Sequence, residues 1–444
     1  MSFILLGILN SQAAGAAATY YASLLTLQGV DQFRGVVHDS SDNAYVVGET
    51  EFGGGARSIW LMKFNIEGVI QWSRILSGNG GDYGYGLGID SSDNVYVIGE
   101  VASAGLGGTE FLIAKYNSSG TIQFQRTLGT SANNWGYGIA VDSSGNSYLV
   151  GRTATGTGTD SGLIAKYDSS GTIQWQRTLG SNWLDQFTGA VVDSSGNVYA
   201  SGTYRFDNSG SATDGMVAKY NSSGVLQWQR KWGTTSFGDP NFANKISVDS
   251  NDNVIFTSQG WNGSTYGYVA NVAKINSSGT VQWQRSLRGT VTDAFQFPAV
   301  DADDNIYLVG NTNSSQAGGS GNNDVLMAKY NSSGVIQWQR VYGGTSSDIG
   351  YGVGLDSVGS LYVVGSTGGA ANAMINKFPN DGSGTGSYVL DGVTYTYQAS
   401  GLNEAALGYT VAAISLTDAA ATHTDQSSSL TDSAASTTQY IETF

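Results

Sequence analysis

The sequence predicts an all-β protein: a seven-bladed β-propeller of four-stranded antiparallel blades, its ring closed by the N-terminal strand. Three observations predict it. One unit recurs seven times, at spacings of 51 to 56 residues. Each unit carries short apolar runs bounded by Asn, Asp, Ser and Gly, the pattern of strands joined by tight hairpins. The seventh unit lacks its last run, and a run before the first unit can supply it.

The unit is clearest over residues 138–177. A Gly-rich apolar run leads to a turn at Asp142, and a second run ends at Gly151. After a polar loop, a third run reaches Tyr167, a second turn begins at Asp168, and IQWQR closes the unit at Arg177. The first turn recurs at Asp39, Asp90, Asp142, Asp193, Asp249, Asp301 and Asp356. Asp and Asn there bond their own backbone two residues on, and Gly or Asn accepts positive φ. Repeats of this length with four strands each describe propeller blades. No window shows the 3.6-residue apolar period of a helical solenoid.

The last run carries a central aromatic at Trp72, Phe124, Trp175, Trp228, Trp283 and Trp338, six copies for seven units. Residues 20–27 supply the seventh strand, with Tyr21 in the place of Trp175 and 51 residues before Trp72. Closing the ring this way ties its ends together and removes exposed sheet edges. These seven aromatics are read as seams between blades.

Composition limits the function. Glycine numbers 63 and proline 3, with 25 Tyr, 15 Phe and 10 Trp, which suits many tight turns around packed interiors. The formal net charge of −15 disfavours nucleic acid and anionic lipid. There is no cysteine for a disulfide, a thiol nucleophile or a Cys-ligated zinc. Thirteen of the 20 Lys and Arg sit at repeated positions, from Lys63 to Lys377 and from Arg74 to Arg340, and read as repeated ion pairs or hydrogen bonds. His38 and His423 are the only histidines; neither belongs to a catalytic motif, and His38 reads as a sheet residue. Asp-rich turns such as residues 301–305 read as turn formers ahead of calcium ligands. No cofactor, metal or catalytic residue is expected.

Candidate ligand contacts lie on the long connections: residues 152–162, 203–215, 259–267 and 311–323. These share one face of a propeller, and variable loops on a rigid scaffold commonly carry recognition. Trp135, Trp183 and Trp261 lie beside Asn in such connections, an aromatic-plus-amide pairing suited to a sugar face.

The chain divides into an apolar segment 1–19, the ring 20–378 and a C-terminal part 379–444. Residues 3–9 followed by small residues look like a signal peptide without its basic region, so this segment is read as docking onto protein. No stretch has the length of a membrane-spanning helix. Beyond the ring, a hairpin turns at Asp391-Gly392. Leu-Thr-Asp and related triplets then recur every seven residues, which reads as a docked arm or a stalk.

VDSSGNSYLVG (141–151) followed by AKY from Ala165 resembles bacterial and phage β-propeller repeats of the SBBP type, over roughly residues 20–378. Ala165, Gly171 and Trp175 also resemble the tryptophan-docking motif of quinoprotein propellers, which implies Trp packing on the next blade's Gly turn. It brings no cofactor ligands. MSFILLGILN and the Leu-Thr-Asp-Ala tail resemble the termini of virion proteins of tailed marine phages. Together these resemblances imply a non-enzymatic virion protein at a particle surface. Its termini would attach to other virion proteins, and host-surface glycan is the expected contact, with neither nucleic acid nor membrane insertion. The alternatives are a secreted or surface-attached bacterial adhesin and a polysaccharide-active propeller enzyme.

Overall fold

A computed structural model describes residues 4–9, 20–25 and 29–434. Within that span it leaves out 52–55, 79, 103–107, 155–159, 182, 206–212, 234–240, 262–266, 315–321, 369–371, 391–392, 407–409, 414–416, 421–423 and 428–430. His423, the Asp391-Gly392 turn and the middles of the long connections lie outside the described residues.

The described chain is strand and turn, arranged as seven antiparallel blades. Blade 1 is Gln32–His38, Ala44–Glu51, Arg57–Phe64 and Ile70–Ser77; blade 3 is Asn134–Val141, Ser147–Ala154, Asp160–Tyr167 and Ile173–Gly180. Blades 2 and 4 to 6 repeat this order. Blade 7 has three strands from its own unit, ending with Asn372–Phe378, and Tyr20–Leu25 completes it. Tyr21 pairs with Lys377 as Trp175 pairs with Lys166, so the N-terminal strand closes the ring in the predicted register.

The first turn of each unit is held by its own Asp. Asp39 accepts bonds from the backbone N–H of Ser41 and Asn43, from the Asn43 amide and from the Tyr45 hydroxyl, and pairs with Lys63 at 3.0 Å. These turn carboxylates are therefore occupied by protein donors. Where the fourth turn residue is Asp, it adopts positive φ, 62° at Asp42, and reaches the preceding blade. Asp42 accepts from the backbone and hydroxyl of Ser357 across the closure between blades 7 and 1, at 2.7 Å each.

Apolar side chains lie in the gaps between blades and not in one central core. Tyr45, Val47 and Leu61 of blade 1, for example, pack with Val95, Val97 and Leu112 of blade 2. Each outer aromatic crosses to the Gly turn of the next blade. A Cβ on Gly120 would lie 2.8 Å from the Trp72 ring, one on Gly224 2.6 Å from Trp175, and one on Gly68 2.8 Å from Tyr21. Gly171 meets Phe124, Gly279 Trp228, Gly334 Trp283 and Gly382 Trp338 in the same way. These glycines have positive φ, which alone disfavours other residues there. The Trp72 Nε1 donates to Ser118 O at 3.1 Å and the Arg74 Nε to Gly120 O at 2.7 Å, so the repeated Arg ties the same seam.

The fourth strand is not the outermost. The C-terminal arm runs backward around the ring and adds a further strand to six blades. Val393–Ala399 pairs with blade 6, Asn403–Ala406 with blade 5, Thr410–Ala413 with blade 4 and Thr417–Ala420 with blade 3. Thr424–Ser427 and Thr431–Ala434 reach blades 2 and 1. Arg340, Arg285, Arg230, Arg177, Arg126 and Arg74 pair with Ala399, Ala406, Ala413, Ala420, Ser427 and Ala434 in turn. The seven-residue period is thus the step from blade to blade. Ile4–Leu9 pairs with Tyr20–Leu25 and covers blade 7. No helix among the described residues is long and apolar enough to cross a membrane.

Candidate functional site

The innermost strand of every blade is bulged near its start. Pairing with the second strand shifts register between Phe33 and Gly35, Gly84 and Gly86, Gly136 and Gly138, and Phe187 and Gly189. It shifts again between Phe295 and Phe297, and between Gly350 and Gly352. In blade 5 the step is longer, from Ala243 to Ile246. A bulge leaves its extra residue unpaired and re-aims the side chain. The extra residues are Arg34, Tyr85, Tyr137, Thr188, Gln296 and Tyr351, with Asn244 and Lys245 in blade 5. All of them, with Gln186, line one cavity of about 280 Å³. Drawing on every blade, this cavity lies on the ring axis. It opens toward the face of the long connections, because the bulges lie near the ends of the second strands.

Beneath the pocket is an apolar throat of about 120 Å³, lined by Val36, Leu87, Ile139, Ile246 and Phe297 among others. Gly138 and Gly189 let the inner strands converge there. A Cβ on Gly138 would sit 2.9 Å from Thr188 O, and one on Gly189 3.0 Å from Lys245 Cα. Lys245 occupies the place of Gly35, Gly86, Gly138, Gly189 and Gly352, and its side chain borders both pocket and throat.

The pocket carries an ordered set of charges. Arg34 donates through Nε and Nη2 to Glu49 at 2.8 Å each, and its guanidinium lies 5.0 Å from the Tyr85 ring centre and 5.3 Å from that of Tyr351. Glu49 also receives Arg57 at 3.0 Å and the Gln32 amide. The Tyr85 hydroxyl donates to Glu100 at 3.2 Å. Burial pushes Glu100 up to about 7, against the opposing pull of Tyr85, Arg34 and Arg152. Burial first, and Arg34 second, bring Lys245 down to about 7. Lys245 retains partial accessible surface, yet it is deep in the protein, because what it faces is the axial cavity. Burial also raises Tyr137 to about 12. A carboxyl and an amine that both titrate near neutrality can give or take a proton at working pH.

The aromatics singled out in the sequence are not among the residues that line this pocket. Trp135 is two residues before Tyr137, with the Arg152 guanidinium 3.8 Å from its ring centre. Trp183 stands in the connection between blades 3 and 4, and its N–H donates to the Ser181 hydroxyl. Trp261 packs edge-on to Tyr268 at 5.2 Å. His38 lies against the Tyr362 ring at 4.3 Å, at the seam of blades 7 and 1. Sequence reasoning missed the axial residues. Their signal is small: the bulge residue changes identity from unit to unit, while a Gly on one or both sides of it recurs. No group of His, Asp and Glu suited to a metal ion occurs among the described residues.

These features define a closed seven-bladed propeller with an asymmetric axial pocket. The SBBP β-propeller repeat matches residues 71–100 and 124–155. The chain is 26% identical over 188 residues to the regulatory protein FlaEY of Caulobacter vibrioides, a match covering 36% of this chain and 19% of that protein. Among solved structures it is similar to an ulvan lyase bound to a saccharide, at 12% identity and a TM-score of 0.49, covering 79% of this chain and 94% of that one. It is also similar to a second polysaccharide lyase, at 9% identity and a TM-score of 0.45, covering 86% and 99% of the two chains. At these identities the likeness is one of fold.

The expectation that the chain is not an enzyme is corrected. It rested on the lack of a recognisable motif. The solved structures similar to it include polysaccharide lyases, and one fold hosts many functions. The axial groups also show that titratable residues can be assembled from positions about fifty residues apart, which no local motif would reveal.

Proposed function

We propose that this protein is a glycan-recognition propeller displayed on the surface of a phage particle, with the axial pocket as its binding site. One observation carries the recognition reading: seven bulges aim different side chains into a single cavity. Three of them are Tyr and the others bring hydroxyl, amide and cationic groups. Aromatic faces beside hydrogen-bonding groups suit sugars, and about 280 Å³ lies just below the range for small-ligand sites, roughly 300–1,000 Å³. One or two sugar units suit that space. The resemblance of both terminal segments to virion proteins supports the phage setting, with other virion proteins as neighbours. A surface-attached bacterial adhesin is the second reading; the stretch shared with a Caulobacter vibrioides protein supports its bacterial setting alone.

A glycan array probed with the full chain tests recognition. Binding that Tyr85→Ala and Tyr351→Ala abolish is expected; binding unchanged in both variants refutes the axial site. Product formation is followed on the bound saccharides, since the fold leaves turnover open. Mass spectrometry of purified particles, set against bacterial surface fractions, decides the setting.

A further inference from the structure

We infer that the axial pocket takes an acidic saccharide, whose carboxylate or sulfate group pairs with the Lys245 ammonium. This deepens the glycan reading and rests on it.

Lys245 is a part-buried cation with no carboxylate at ion-pair distance among the described residues. Its Nζ donates to the backbone carbonyls of Tyr137 and Thr188 at 2.6 Å each. An ammonium has three donors, so one is left, and the side chain borders the cavity. Of the carboxylates beside the pocket, Glu49 is held by Arg34, Arg57 and Gln32, while Glu100 accepts from Tyr85 through Oε1 and its Oε2 is buried without a hydrogen-bond partner. Among the described residues no carboxylate lies within ion-pair distance of Lys245. The repeated Lys63, Lys115, Lys219, Lys274 and Lys377, by contrast, each have an Asp within 2.6–3.5 Å. Removing a cation from water without an opposite charge is costly, and a bound anion would offset that cost.

The lowered pKa of Lys245 reflects burial first and the Arg34 charge second. Arg34, Tyr85, Tyr137 and Tyr351 share its cavity, and Glu100 stands behind Tyr85. Lys245 lies where most blades have Gly, and the longer bulge of blade 5 makes room for it. A lysine built into the axis at the expense of close strand packing reads as a binding group.

The sign of the pH effect follows. An anion bound to Lys245 favours its protonated form. Affinity is then full below about pH 7 and falls by up to about tenfold per pH unit above it. Ionisation of Glu100 would weaken anion binding over the same range, so Glu100→Gln separates the two.

The test is calorimetric titration of the full chain with three hexasaccharides: one containing glucuronate, one neutral, and one sulfated but free of carboxylate. At about pH 6 at least one acidic probe is expected to bind about tenfold or more tighter than the neutral one. That advantage should shrink by about tenfold or more at pH 8.5, and do so in Glu100→Gln as well. Lys245→Met should lose it at both pH values. Lys245→Arg, always charged, should keep it at pH 8.5. Which acidic probe binds tells carboxylate from sulfate. Equal binding of neutral and acidic probes, or Lys245→Met binding like the wild type, overturns the inference and leaves the glycan reading standing. Binding of none of the three removes both.

Discussion

Leu25→Ala tests the ring closure directly. Leu25 lies on the strand imported from the N-terminus and pairs with Ala373. It is 4% exposed and packs with Phe33, Trp60 and Val364, so it joins blade 7 to blade 1. Its counterpart in a contiguous blade is Leu179, fully buried at the same distance from the outer aromatic. Truncating a buried Leu to Ala costs about 2–5 kcal/mol, transfer and cavity together. Whole-domain stabilities are only about 5–15 kcal/mol. Both Leu25→Ala and Leu179→Ala should therefore lower the urea midpoint by a large and similar amount. Equilibrium unfolding followed by Trp fluorescence and circular dichroism reads both. If Leu179→Ala is destabilised and Leu25→Ala is not, the N-terminal strand does not close the ring, and the reasoning fails.

The remaining predictions concern the outer belt and the closure seam. Deleting residues 403–444 should leave a cooperatively folded ring, because each blade keeps four strands and its aromatic seam. The uncovered outer strands should then associate edge to edge, seen as concentration-dependent oligomers by light scattering; loss of cooperative unfolding would show that the arm is part of the folding unit. His38 is held down to about 4, chiefly by burial, although Asp356, Asp42 and Asp39 pull it up. A lowered His favours the neutral form, so its contribution is present above pH 6.5 and is lost as pH falls toward 4, at most roughly 3 kcal/mol. His38→Val, which restores the residue found at Val141 and Val192, should remove that loss; stability curves that stay parallel from pH 7 to 4.5 would contradict it.

The ring was legible because its contacts repeat. The aromatic, the turn Gly, the Lys and the Arg recur in register, and Tyr21 could be placed by counting from Trp72. The arm shows where this stopped. Its seven-residue period was visible, but such a period is also that of a helical stalk. What separates the two is the spacing of the outer strands, a property of the assembled ring and not of the arm. The axial pocket was hidden for a related reason. Arg34 and Lys245 are about two hundred residues apart and belong to no shared motif. They meet only because the ring closes and bulges turn them inward. Trp135, Trp183 and Trp261 drew attention because a Trp beside an Asn is conspicuous, yet none of them lines the cavity.

The contrast between seam and axis bears on function. Where blades meet, the units are close copies: the outer aromatic always meets a Gly turn, and five of the repeated Lys pair with a turn Asp. At the axis the copying breaks down. Blades 1 and 5 contribute cations, blades 2, 3 and 7 contribute Tyr, and blades 4 and 6 contribute a hydroxyl and an amide. Seven identical residues would make a pocket with sevenfold symmetry, in which an asymmetric ligand has seven equivalent poses. Distinct residues remove that degeneracy and leave one preferred pose. Packing alone gives no reason for the difference, since the same bulge accommodates Arg34, Tyr85 and Thr188. The asymmetry is what an oriented ligand requires, and it is concentrated at the one place that all seven blades share.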